Sequence, residues 1–306
     1  VILFLLRRLL LTIPVIWGVA TVTFLLIHFV PGDPVEIMLG ENAASVDKAA
    51  LRASLGLDMP LPQQYGQYLK HLSKFDLGKS LQSKRSVSAE IAERIPATVE
   101  LTLAAMALAI LVGIPLGLLA AIRRFSWLDH AILLFSLLGI SLPGFFLGPL
   151  LIWVFAIHFD WLPVSDRGGW EHLLLPAVSL ALGLSAILIR ITRANMLEVI
   201  REDYVRTARA KGVNTTLIYF KHALANALIP IISVVGLQFG ALLTGAVITE
   251  TIFDWPGVGT LLYTAIQSRN YPLVQGCTLF ISITYVAVNL FTDIAYGLAD
   301  PKVRQT

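Results

Sequence analysis

The chain has 306 residues, of which 56% are hydrophobic and only 14% charged, with a mean hydropathy of +0.75. A soluble domain carries about 25% charged residues. A buried core does not explain so large a deficit, so the composition points to a protein whose solvent is lipid. The net charge of +3 makes no case for nucleic acid, and a single cysteine, Cys277, excludes a disulfide framework and a cysteine-based metal site.

In chain order, Arg7 and Arg8 precede an apolar run from Leu9 to Ile27. That run has about the 20 residues a helix needs to cross a bilayer and exceeds a signal-peptide core of about 7–15. It is read as a retained first span. Six apolar segments are long enough, or nearly so: 9–30, 100–121, 131–157, 173–190, 227–249 and 277–298. The expected fold is an all-α integral membrane protein of six transmembrane helices. A small extracytoplasmic segment stands between helices 1 and 2, and a polar cytoplasmic helix between helices 4 and 5. The expected units are the first helix (1–30), an outer cap (31–99) and a five-helix core (100–306) with a long inner loop at 191–226.

The cap is too long for a simple connection. Its stretch SVDKAALRASLG (45–56) predicts a short helix with Ser45 as N-cap and Gly56 past its end. FDLGKSL (75–81) holds the Gly-Lys-Ser that ends a P-loop. The first glycine of that motif would fall at Ser73, so no nucleotide site is read there.

Orientation follows the Lys/Arg bias. With the N-terminus inside, 13 of the 23 basic residues lie on inner segments, and eight of the other ten lie in the long cap. Long loops translocate largely regardless of charge. Both termini are therefore expected in the cytoplasm.

The spans hold almost no ionisable residue; His28, Glu100, Glu250 and Asp293 fall at or near expected ends. An ion-coupled carrier buries such groups near the midplane, and a channel carries a filter or a charged ring. These absences weigh against a stand-alone channel or carrier, which stays as the alternative class. No HExxH or GxSxG set suggests an enzyme, and no catalytic or metal residues are assigned. Gly113/Gly117, Gly144/Gly148 and Gly236/Gly240 are GxxxG pairs that suit close helix packing, within the chain or between subunits.

The stretch EDYVRTARAKG (202–212) does not match its apolar surroundings. Helix formers dominate from Ala194 to Lys211, with acids early and bases late, the order the helix dipole favours. Glu202 and Arg206 are spaced as an i,i+4 pair, and Gly212 suits the position that ends a helix. Two readings stay open: a helix lying on anionic lipid, or one whose small residues Thr207, Ala208, Ala210 and Gly212 enter a groove on another protein. Further on, Trp255-Pro256-Gly257 breaks any helix. Trp255 is read as an interfacial anchor or a gate, and Gln238 and Glu250 as candidates for lining a path. Gln238 can equally be a satisfied interhelical hydrogen bond.

Asp203–Gly212 followed by His222–Pro230 resembles the coupling loop of ABC-importer permeases, in the variant of the dipeptide, oligopeptide and nickel group. The wider family's Glu-Ala-Ala reads Arg206-Thr207-Ala208 here, so only the last alanine and the glycine match that broader pattern. VPGDP (30–34), LGLDMPLPQQY (55–65), FDLGKS (75–80), IPATVELTL (95–103), TETIFDWPGVGTLL (249–262), RNYPLVQG (269–276) and DPKVR (300–304) resemble the same group. The resemblance implies a permease subunit in the bacterial cytoplasmic membrane, paired with a second permease, two ATPase subunits and a solute-binding protein. ATP and magnesium would bind the partner subunits, and this chain would hold no cofactor. Tyr204, Thr207, Ala208, Ala210 and Gly212 would contact the ATPase or act as hinges; Glu202, Asp203, Arg206 and Arg209 would orient the helix. The substrate implied is a di- or oligopeptide, with glutathione or a nickel chelate as alternatives. The short outer segment 158–172 tempers the peptide reading, because dipeptide members often carry a longer insertion there.

Overall fold

The computed structural model describes residues 2–29, 33, 35–36, 44–54 and 56–299. Most of the VPGDP stretch and all of DPKVR lie outside these residues. Among the described residues the regular structure is helical, apart from an isolated antiparallel bridge between Lys79 and Ser86.

Helix α1 (Ile2–Phe29) is a long apolar rod whose Leu10, Leu11, Ile13, Trp17 and Val22 face outward. The cap follows as α2 (Ser45–Ser54) and α3 (Leu61–Leu72). Ser45 is the first helical residue and not the expected cap. Gly56 ends α2 as expected, at φ +67°, with Leu57 N–H donating to Arg52 O at 3.0 Å. Tyr65 on α3 reaches Thr21 on α1 (2.6 Å between hydroxyls), and His28 meets Gln64 at 3.1 Å.

Helix α4 (Val87–Ile122) begins 13 residues before the expected span. Ser86 accepts from Ala89 N–H as its N-cap, and Glu93 pairs with Arg85. Its first turns mix charged residues with the buried Val87 and Ile91, so counting apolar residues cuts the helix short. Helix α5 (Trp127–Ser141) meets α6 (Gly144–Leu151), with its π-helical extension Ile152–His158, at 103°. The third expected span is therefore broken. Leu142 is extended, as the residue before a proline prefers, and Pro143 turns the chain.

Helix α7 (Trp170–Val199) runs parallel to α4 along most of its length. The chain then forms α8 (Asp203–Ala210), α9 (Thr215–Leu217) with a π-helical turn at Ile218–Ala223, and α10 (Leu224–Gly245). Short helices α11 (Val247–Ile252) and α12 (Val258–Gln267) lead into α13 (Tyr271–Ala299), which packs on α1 and α10. Among the described residues, four helices are long and apolar enough to cross a membrane, or six if each of two bent pairs is one span. The chain is a multi-pass helical membrane protein.

The pairs Gly113/Gly117 and Gly236/Gly240 serve contacts within the chain, whereas Gly144 faces open space. A Cβ on Gly117 would lie 2.6 Å from Thr192 Cβ and 2.7 Å from Ile189 O, and one on Gly113 would lie 2.6 Å from Leu188 Cβ. Small residues here let α4 and α7 approach closely. Gly236 gives the same access to Thr292 on α13. Gly117→Val is expected to destabilise the protein by about 1–3 kcal/mol through overpacking. Thermal unfolding in detergent checks this; an unchanged midpoint would count against the contact.

Candidate functional site

The polar stretch does not continue α7. The helix stops at Val199, a turn occupies 200–202, and α8 starts at Asp203 with Glu202 at the N-cap position. Two alternative partners explain the break. Ile200 N–H still closes the last α-turn on Met196 O, but Arg201 and Glu202 N–H groups turn back to Glu198 O and Val199 O. The expected Glu202–Arg206 pair does not form; Arg206 instead reaches Asp203, at 3.6 Å and in full solvent exposure, where such a pair contributes little.

The end of α8 is as the sequence predicts. Gly212 has φ +76°, its N–H donates to Arg209 O (3.0 Å), and Val213 N–H donates to Ala208 O (3.2 Å). This is a Schellman ending, which needs the left-handed conformation glycine tolerates. One face of α8 is anchored. Val205 is fully buried, and Tyr204 OH accepts from Asn226 Nδ2 at 2.8 Å, at the start of α10. Arg209 lies over the Tyr219 ring, 6.0 Å from its centroid. Arg206, Thr207, Ala210, Lys211 and Gly212 face outward, and Ala208 is half-buried. Between α7 and α8 an open cavity of about 480 Å³ is lined by Ala194, Leu197, Glu198, Arg201, Glu202 and Asp203. The structure thus presents a short, tethered, polar helix beside a cleft. The anchors Val205 and Asn226 were not among the sequence candidates; an apolar residue within a polar helix was the signal for Val205.

The path candidates fall elsewhere. Gln238 is half-buried on α10. Glu250 and Trp255 are both fully buried, not at the rim. Glu250 accepts from the Thr98 hydroxyl (2.7 Å) and Thr260 N–H (3.0 Å). Thr98 Oγ1 in turn accepts from Val258 N–H at 2.9 Å. Trp255 donates its indole N–H to Ala97 O (2.7 Å) and packs with Leu101 and Ala177. Burial of this kind excludes the interfacial-anchor reading of Trp255. The pair pins the segment between α11 and α12 to α4.

At the other end of the α4–α7 pair, Asp129 and Arg193 form a two-pronged ion pair, Nε to Oδ1 at 2.7 Å and Nη2 to Oδ2 at 2.8 Å. Asp129 is 1% exposed and also accepts from Phe125 N–H. This pair ties α5 to α7 within the last two turns of α7. Sequence reading missed it, because each charge sat at the edge of an apolar run with nothing to show that they meet.

Known proteins give the context. The family described as "Binding-protein-dependent transport system inner membrane component" matches residues 113–305, and its N-terminal companion matches residues 1–102. A dipeptide transport system permease protein of Alkalihalophilus pseudofirmus is 41% identical, covering 97% of this chain and 98% of its own. A glutathione transport system permease protein of Salmonella choleraesuis is 40% identical, covering 98% of each. A di/tripeptide transport system permease protein of Pseudomonas aeruginosa is 44% identical over the same shares. In fold, the chain is similar to the inward-facing MetNI methionine ABC transporter, with a TM-score of 0.57 and 17% identity over 69% of this chain and 96% of that one. With family models and relatives matching nearly its whole length, the chain belongs to the binding-protein-dependent permease family of ABC importers.

Proposed function

We propose that the chain forms half of the translocation path of an ATP-driven importer of di- or oligopeptides. The observation that carries the coupling role is α8: a polar helix held to its own chain by Val205 and Tyr204, with Arg206, Thr207, Ala210 and Lys211 left outward beside a cleft. A helix lying on lipid would instead turn bulky apolar anchors outward. In this reading α8 enters a groove on an ATPase subunit, which binds ATP and magnesium. Glu202, Asp203, Arg206 and Arg209 orient it, while Thr207, Ala208 and Ala210 make the contact. Tyr204 acts as a tether, and Gly212 sets where the helix ends. A second permease chain completes the path, to which Gln238 contributes, and a solute-binding protein delivers substrate. Both termini lie in the cytoplasm.

The relatives' names support peptide as the cargo class. Glutathione is the second reading, carried by one further observation. The alignments to the dipeptide and di/tripeptide relatives run over 326 and 330 positions, more than the 306 residues of this chain, so those relatives carry extra residues. The alignment to the glutathione relative runs over 301.

Tagged purification in mild detergent, with mass spectrometry of co-eluting proteins and small molecules, tests the assembly and names the cargo. Gly212→Pro tests α8. Proline cannot adopt a positive φ and removes the N–H that bonds Arg209. The variant is expected to insert normally while uptake falls to background. Normal uptake by it, or solute movement by the chain alone in ATP-free vesicles, would overturn the reading.

A further inference from the structure

A cavity of about 570 Å³ lies where the C-terminal end of α1 meets the N-terminal end of α13 under the cap. Phe24 and Ile27 of α1 and Leu279 of α13 line its apolar part. Lys79 and Lys84, on the loop between α3 and α4, line its polar part, and Tyr68 of α3 projects between. Because α1 and α13 are both apolar enough to span, their shared end marks a boundary between hydrocarbon and water. The cavity lies at that shared end.

Three features of the lining point to a ligand. First, the Tyr68 hydroxyl is shielded from solvent and has no hydrogen-bond partner. Leaving such a group unpaired costs about 1–3 kcal/mol. Burial pushes the phenol up to about 12, so it stays a donor. The neighbouring polar groups are already engaged: Tyr65 with Thr21, His28 with Gln64, and Gln275 with Thr23 O. Second, the two lysines outnumber the one carboxylate in the lining, Asp76, which is already engaged. Asp76 accepts from His71 Nδ1 (2.9 Å) and Gly78 N–H (3.0 Å), which hold it below its ordinary value. Lys79 and Lys84 have no acidic partner among the described residues. Third, the loop that carries the lysines is fixed in place. Buried Asn270 accepts from Leu81 N–H (3.2 Å) and donates to Ser80 Oγ (2.8 Å).

We infer that this cavity binds a small amphipathic anion. Its phosphate or carboxylate would be met by Lys79, Lys84 and the Tyr68 hydroxyl, and its apolar part would rest on Phe24, Ile27 and Leu279. A phospholipid of the adjoining leaflet and a soluble amphipathic acid present the same chemistry. The site is independent of the coupling role of α8 and stands or falls without it.

The test uses the full chain in nanodiscs of phosphatidylcholine, with dioleoyl phosphatidylglycerol or hexyl phosphate added, read by native mass spectrometry. Wild type is expected to retain one anion per chain. Lys79→Gln with Lys84→Gln should abolish that retention, and Tyr68→Phe, which keeps the ring, should weaken it about tenfold, the loss of one hydrogen bond to a charged group. Retention of the lipid alone assigns the site to the membrane, and retention of hexyl phosphate alone assigns it to a soluble acid. Thermal unfolding of the variants in pure phosphatidylcholine should match wild type, which separates lost binding from lost fold. If wild type retains neither anion, or the double variant retains as much as wild type, the inference is wrong.

Discussion

Arg193→Ala is expected to lower stability by about 3–5 kcal/mol, because it leaves Asp129 as a buried charge without its partner. Asp129 is 1% exposed, and Phe125 N–H would remain its only charge-compensating contact of those described. The reverse change, Asp129→Ala, should cost less, because Arg193 is about one-fifth exposed and can turn its guanidinium outward. Replacing both residues by apolar ones of similar volume should recover much of the loss. Thermal unfolding of the two single variants and the double variant in detergent measures the coupling. Additive effects would mean that the two residues do not act as a pair.

The second large effect is expected at Trp255. Trp255→Ala removes a fully buried indole from between Ala97, Leu101 and Ala177 and leaves Ala97 O without its donor. Truncating a buried aromatic costs about 3–5 kcal/mol. Trp255→Phe fills most of the space but not the hydrogen bond, so about 1–3 kcal/mol should remain lost. Glu250→Ala should fall between the two, since it unpairs Thr260 N–H and frees the Thr98 hydroxyl. Gly257 adds an independent check: a Cβ there would lie 2.2 Å from Glu250 Oε1, so Gly257→Ala should destabilise wild type and be much milder beside Glu250→Ala. Equal effects in both backgrounds would place the clash elsewhere.

What could be read from the sequence was local. Apolar length finds the membrane helices, because lipid demands it regardless of neighbours. The end of α8 at Gly212 was legible because one residue's backbone freedom decides it. The break at Pro143 was half-visible: the proline marks a turn, but nothing in an apolar run says that the second half leaves at 103°. Residues 87–99 were excluded from a span because they are polar, although a polar helix can stand on an apolar one. The buried state of Glu250 was out of reach. Its partner Thr98 is 152 positions away, and a carboxylate beside an apolar segment looks the same whether it faces water or another helix. The same holds for Asp129 and Arg193, 64 positions apart.

The parallel packing of α4 and α7 has a mechanical consequence. Helix α7 has 30 residues, which makes it about 45 Å long. One end lies against Trp255, and the other is followed within three residues by α8. The glycine contacts with α4 stiffen the pair against sliding and bending, as two bonded planks resist flexure better than one. In the proposed coupling role, this beam would carry a displacement of α8 to the segment pinned by Glu250, with its length setting the leverage.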